Sequence, residues 1–146
     1  MATESTVTRL IRTVDGVSTY EQITVHWNGQ LTDVGKILFE NYTTEELVTE
    51  LVARGCISSL EAKIVPDGIH PHSFDNPQEG VTVYYHRDRG ESWVYTKPTI
   101  IVCEGDPHCP MFCEYNYLFK DGKWFYNTAT NEEFRPLEKK DIYKEV

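Results

Sequence analysis

The chain has 146 residues, 40% of them hydrophobic and 12% aromatic, with a net charge of −9 at pH 7. That length suits one domain burying about two-thirds of its unfolded surface, and the composition excludes a disordered chain. Acidity is spread along it, with 5 basic and 10 acidic residues in 1–73 and 9 and 13 in 74–146, and no Lys/Arg run tracks a phosphate backbone, which argues against direct nucleic-acid binding.

Residues 6–14 and 17–27 are rich in β-branched side chains, and Asp15-Gly16 between them is a two-residue hairpin signal. Asn28-Gly29 breaks the second strand. Helical spacing follows: Thr32 or Asp33 as cap, then Val34, Ile37, Leu38 and Tyr42 as apolar positions. In TTEELVTELVARG, Thr43 or Thr44 caps, Glu45 and Glu46 sit at the positive end of the helix dipole, and Gly55 stops the helix. Leu47, Val48, Leu51 and Val52 form its buried stripe. Residues 56–80, with Pro66, Gly68, Pro71, Pro77 and Gly80, read as a long loop.

Beyond the loop, VTVYYH (81–86) reads as a strand and WVYTKPTIIVC (93–103) as another interrupted at Pro98. EYNYLFKDGKWFYNT reads as a hairpin turning at Asp121-Gly122. The charged tail, Glu132 to Val146, reads as a short helix at most. The order predicts an α+β domain over 1–146: an antiparallel β-sheet with two consecutive helices packed on one face and a C-terminal β-hairpin.

The start, MATESTVTRL, lacks the apolar core of a secretory leader, and no stretch approaches the roughly 20 apolar residues of a membrane span. Four cysteines in such a chain match a reducing compartment, so the expectation is a cytoplasmic protein with no membrane contact. In CEGDPHCPMFC, Cys103, Cys109 and Cys113 stand six and four apart with His108 among them. Three thiols and an imidazole are the donor types of a tetrahedral zinc site, and His70 and His72 are further candidates. The spacing is not the usual two-residue knuckle, so the same residues also read as strand ends and a turn with no cofactor. Cys56, after the helix stop, reads as a buried structural thiol.

HSFDNPQEGVTVYYHRDRGE (72–91) gathers His72, Asp75, Asn76, Tyr85, Arg87, Asp88 and Arg89 around one predicted strand. Strand alternation puts Val81, Val83 and Tyr85 on one face and Thr82, Tyr84 and His86 on the other. Arg87 and Arg89 then project together past its end. One reading is a strand end closed by ion pairs worth about 0–1 kcal/mol each. The other is an anion site, with arginine forks gripping phosphate or carboxylate and tyrosine stacking a base. Asp75-Asn76-Pro77 reads equally as a plain turn. His26 and Trp27, at a strand-to-helix junction, are either packing residues or pocket lining. No nucleophile elbow, phosphate loop or dinucleotide fingerprint is present, which weighs against an enzyme.

ITVHWNGQLTDVGKILFENY (23–42), SSL (58–60), HSFDNPQEGVTVYYHRDRGE (72–91) and YLFKDGKWFY (117–126) together resemble a family of small bacteriophage and bacterial proteins. That family carries HWDGYP-like, DNPxxGVTVxxxRDRGE-like and YLFxxGKWY-like blocks. The resemblance falls on His26, Trp27, Gly29, Gly35, Lys36 and Asp75 through Glu91. Asn28 stands where the family has an aspartate, Gln30-Leu31 replaces its aromatic-proline pair, and CEGDPHCPMFC lies outside the pattern. The resemblance implies a phage-encoded accessory protein in the host cytoplasm and assigns no reaction. The expected function is therefore binding: an inhibitor or modulator of a host defence protein through an acidic surface. Alternatives are sequestration of a small anionic ligand such as a nucleotide signal, by His26, Trp27, His72, Asp75, Asn76, Tyr85, Arg87, Asp88 and Arg89, or a minor hydrolase or zinc-stabilised module. A homo-oligomer fits the small-ligand alternative.

Overall fold

The structure, a computed structural model, describes residues 2–108 and 113–143. The chain is α+β. Strands β1 (Ser5–Val14) and β2 (Val17–Val25) form the first hairpin, and Asp15 and Gly16 turn it with φ of 51° and 79°. Adjacent positive φ values suit the right-handed twist of the two strands, which is why Asp-Gly stands there.

After β2, Asn28 adopts φ 57° and Gly29 tucks its N–H onto Thr3 O at 2.9 Å. A Cβ at Gly29 would lie 2.8 Å from that same oxygen, so only glycine fits. A single π-helical turn, Leu31–Gly35, runs into helix α1 (Lys36–Asn41), and α2 (Glu45–Ala53) follows. Thr44 caps α2, its side chain accepting from Leu47 N–H at 3.2 Å. Val48, Leu51 and Val52 are fully buried, each side chain contributing about 1.5–3 kcal/mol relative to exposure.

The remaining elements are β3 (Ile57–Ser59), β4 (Val83–Tyr84), α3 (Tyr85–Arg89), α4 (Trp93–Thr96), β5 (Thr99–Glu104), β6 (Tyr115–Lys120), β7 (Lys123–Thr128), β8 (Asn131–Pro136) and α5 (Lys139–Ile142). One sheet runs β4-β3-β2-β1-β6-β7-β8, with β5 pairing β2 beside β3. Most pairs are antiparallel, but β1/β6 and β2/β3 are parallel. The predicted C-terminal hairpin is β6/β7, turning at Asp121 and Gly122.

Register places Val7, Ile23, Tyr117 and Tyr126 in one row across four strands. They join Leu38, Val48, Leu51 and Val52 of the helices in the main core. The opposite face buries a polar row. Thr6 donates to Asn116 Oδ1 at 2.6 Å and Gln22 donates to Thr8 Oγ1 at 2.8 Å.

Four predicted segments are corrected. The strand expected at 81–86 is only Val83–Tyr84, and Tyr85–Arg89 is a helical turn. The strand expected at 93–103 begins as α4 and becomes extended only from Thr99, one residue after Pro98. The tail contains a strand, β8, before α5. Within the expected loop 56–80, β3 is a short strand, and Lys63 makes a parallel bridge to Val81.

Candidate functional site

The 72–91 block is built around Asp88. Tyr84 is extended and caps α3, and its N–H donates to Asp88 Oδ2 at 2.8 Å. Arg87 Nε donates to Asp88 Oδ1 at 2.8 Å, and His72 Nε2 lies 3.2 Å from Oδ2. The side chains of His72 and Asp88 are each only 4% exposed. Burial alone would raise the Asp88 carboxyl, but the bonds from Arg87 and the Tyr84 N–H, with the charge of Arg87, outweigh it and hold the group below its usual value.

Arg87 is turned inward. Nη1 donates to Ile64 O at 2.6 Å, Nη2 donates to Thr82 O at 2.8 Å, and the guanidinium stacks on the Tyr84 ring at 4.8 Å. The fork therefore joins the long loop, β4 and α3. His72 is equally committed. Gln78 N–H donates to Nδ1 at 2.9 Å, so that nitrogen is the bare one and Nε2 carries the proton toward Asp88. Both imidazole nitrogens are engaged within the fold. Residues His72, Arg87 and Asp88 are thus brought together as a buried clamp.

The other predicted residues fall outside it. Asp75 and Asn76 are exposed, and Asn76 N–H donates to Ser73 Oγ at 3.1 Å in a plain turn. Tyr85 packs on Phe74 at 5.9 Å, and Arg89 stacks on the same ring at 4.6 Å. Arg87 and Arg89 do not project together, because residues two apart on a helix face different ways. His26 Nδ1 lies 3.0 Å from Glu4 Oε1, and its ring meets Trp27 edge-on. The N–H groups of His26 and Trp27 donate to Ile57 O and Ser58 O, which carries β2 on beside β3. Among the described residues their bonds run to these partners and not to the clamp.

Of the expected zinc donors, Cys109 lies outside the described residues. Cys103 is half-buried on β5, His108 is exposed 3.5 Å from Glu132, and Cys113 is buried just before β6. Among the described residues no group of three or more His, Cys, Asp or Glu is placed to hold a metal ion. His70 is engaged with Asp67 at 3.0 Å. Cys56 is half-buried rather than buried, at the junction where its main chain joins β3 to α4 and α3. Its N–H donates to Thr96 O at 2.8 Å and its carbonyl accepts from Tyr85 N–H.

Two surfaces lie outside the predicted set. A groove of about 480 Å³ is lined by Ala53, Arg54, His86, Arg87 and Trp93. There His86 Nδ1 donates to Glu91 O at 2.7 Å, and Trp93 packs edge-on against His86. The helical layer exposes Asp33 of the π-turn, Glu40 of α1, and Glu45, Glu46 and Glu50 of α2 with Leu47 beside them; Glu40 accepts from the Tyr143 hydroxyl, Glu45 lies 3.8 Å from Arg9 and Glu50 3.6 Å from Arg54. Only the adjacent Glu45-Glu46 pair signals this layer in sequence. The groove has no sequence signal, since Arg54 and Trp93 meet through the close approach of α2 and α4. No helix among the described residues is long and apolar enough to cross a membrane. In comparisons with known proteins, no family model, no curated protein and no solved structure matches the chain.

Proposed function

We propose that the chain is a binding protein that docks on a basic surface of a partner protein through the acidic outer side of α1 and α2. The observation that carries the reading is α2, where Glu45, Glu46 and Glu50 are exposed about Leu47 and Glu46 has no ion-pair partner among the described residues, with Glu40 exposed on α1. Like charges gathered on rigid helices steer a basic partner, and an exposed leucine among them offers apolar contact. The clamp supports the reading from the other side, since its ionisable groups are spent on holding the fold. The resemblance to phage proteins supports a host protein, in the host cytoplasm, as the target.

The test is affinity capture from a bacterial host lysate with the wild-type chain and with Glu45→Lys/Glu46→Lys/Glu50→Lys. The wild type retains a specific protein that elutes as salt rises, and the triple variant loses it. Capture that ignores both salt and the charge reversal overturns the reading.

The groove of Arg54, His86 and Trp93 favours a second reading, a small anionic ligand with a planar part stacked on the indole. Titration with a nucleoside monophosphate then quenches tryptophan emission in the wild type and not in Arg54→Ala. A titration with no quench in the wild type removes this alternative.

A further inference from the structure

The two ends of the sheet are treated differently. At one end β8 (NEEFRP) carries Glu132, Glu133 and Arg135 and finishes in proline, the usual guards against pairing with another chain. At the other, β4 is two residues long and turns straight into α3. Strand β5 carries such guards only at its two ends, Pro98 before it and Glu104 as its last residue. Among the described residues it pairs with β2 alone, through Val17–Gln22, so its outer edge is unpaired. From Thr99 to Cys103 it reads TIIVC, with no charge, glycine or proline. Ile100 and Val102 are 56% and 62% exposed on one face of the strand. Just before it, Val94 and Tyr95 of α4 are 67% and 85% exposed.

We infer that this edge pairs with β5 of a second copy, antiparallel about a two-fold axis at Ile101, to make one continuous sheet across a homodimer. The pairing is self-complementary. With Ile101 opposite itself, Ile100 faces Val102 of the second copy and Val102 faces its Ile100, giving two apolar cross-strand pairs on the exposed face. Thr99 meets Cys103 on the other face. Glu104, the one charged residue of β5, falls opposite Pro98, so no like charges meet despite the −9 carried by each chain. The same symmetry carries α4 of each copy, with Val94 and Tyr95, to the Glu104 end of its neighbour.

A second copy is the occupant because an isologous pair consumes both bare edges at once and stops. The edge is distinct from the acidic helical layer, so failure of the dimer leaves the partner-binding reading standing.

Sedimentation velocity of the full chain gives twice the chain mass, and Ile100→Lys/Val102→Lys gives the single-chain mass with an unchanged circular dichroism spectrum. Thr99→Cys, set opposite Cys103 of the second copy, gives a covalent dimer on mild oxidation, which tests the pairing even where the lysine variant fails to fold. A wild type that sediments as a single chain overturns the inference. So does a dimer that survives both lysines, and so does a Thr99→Cys chain that forms no covalent dimer.

Discussion

Asp88 shows how a residue that looks like a ligand-binding group becomes structural. Its carboxylate answers one backbone N–H, one guanidinium and one imidazole, all within 3.2 Å. Replacing it with asparagine keeps the size but leaves the partly buried Arg87 charge without its counter-charge. Asp88→Asn is expected to cost roughly 2–4 kcal/mol, read from urea unfolding. The pH dependence has a definite sign. Because the folded carboxyl titrates below its unfolded value of about 3.9, its contribution is complete above that pH and is lost as pH falls through the lower folded value. Acid unfolding of the wild type should therefore steepen below about pH 4, and Asp88→Asn should flatten that part of the curve.

Among the elements, the junction of α2, β3 and α4 carries the tightest steric demand. Gly55 ends α2 at φ 88°, and a Cβ there would sit 2.3 Å from Thr96 O, a backbone atom. The close approach lets Cys56 N–H reach that same carbonyl at 2.8 Å, tying β3 to α4 and hence to β5. Gly55→Ala meets both the left-handed strain, about 1–2 kcal/mol, and a clash with backbone. The expected loss is at least about 2 kcal/mol in chemical denaturation, well above an ordinary helix-end glycine substitution.

For the whole molecule, charge and topology divide the surface. The helical layer concentrates carboxylates, the β8 edge is guarded, and the β5 edge is unpaired among the described residues. A partner held by the acidic layer should be released by moderate salt, because exposed charges are screened beyond about 8 Å at physiological ionic strength. A dimer built on β5 should resist the same salt, since its contacts are main-chain bonds and aliphatic side chains. Salt titration of capture alongside sedimentation separates the two surfaces in one experiment.

The features legible in the sequence were those whose cause lies within a few residues. Asp15-Gly16 and Asp121-Gly122 turn hairpins because their φ preferences are local, and Thr44 with Gly55 brackets α2 for the same reason. The α+β class and the helices over one sheet face followed from periodicity. What the tertiary structure decided was the fate of groups whose partners are remote. VTVYYH carries strand propensity throughout, yet it leaves the sheet at Tyr85, where the Asp88 carboxylate reaches back to the Tyr84 N–H and Gly90 closes the turn. Thr6 and Thr8 alternate like solvent-facing strand residues, but Asn116, more than 100 positions away, buries them in a hydrogen-bonded row. Arg87 looked like a free anion-binding fork until Ile64 and Thr82 supplied carbonyls for it. A side chain's type is written in the sequence, but whether its donors remain available depends on which distant backbone atoms the fold brings against them.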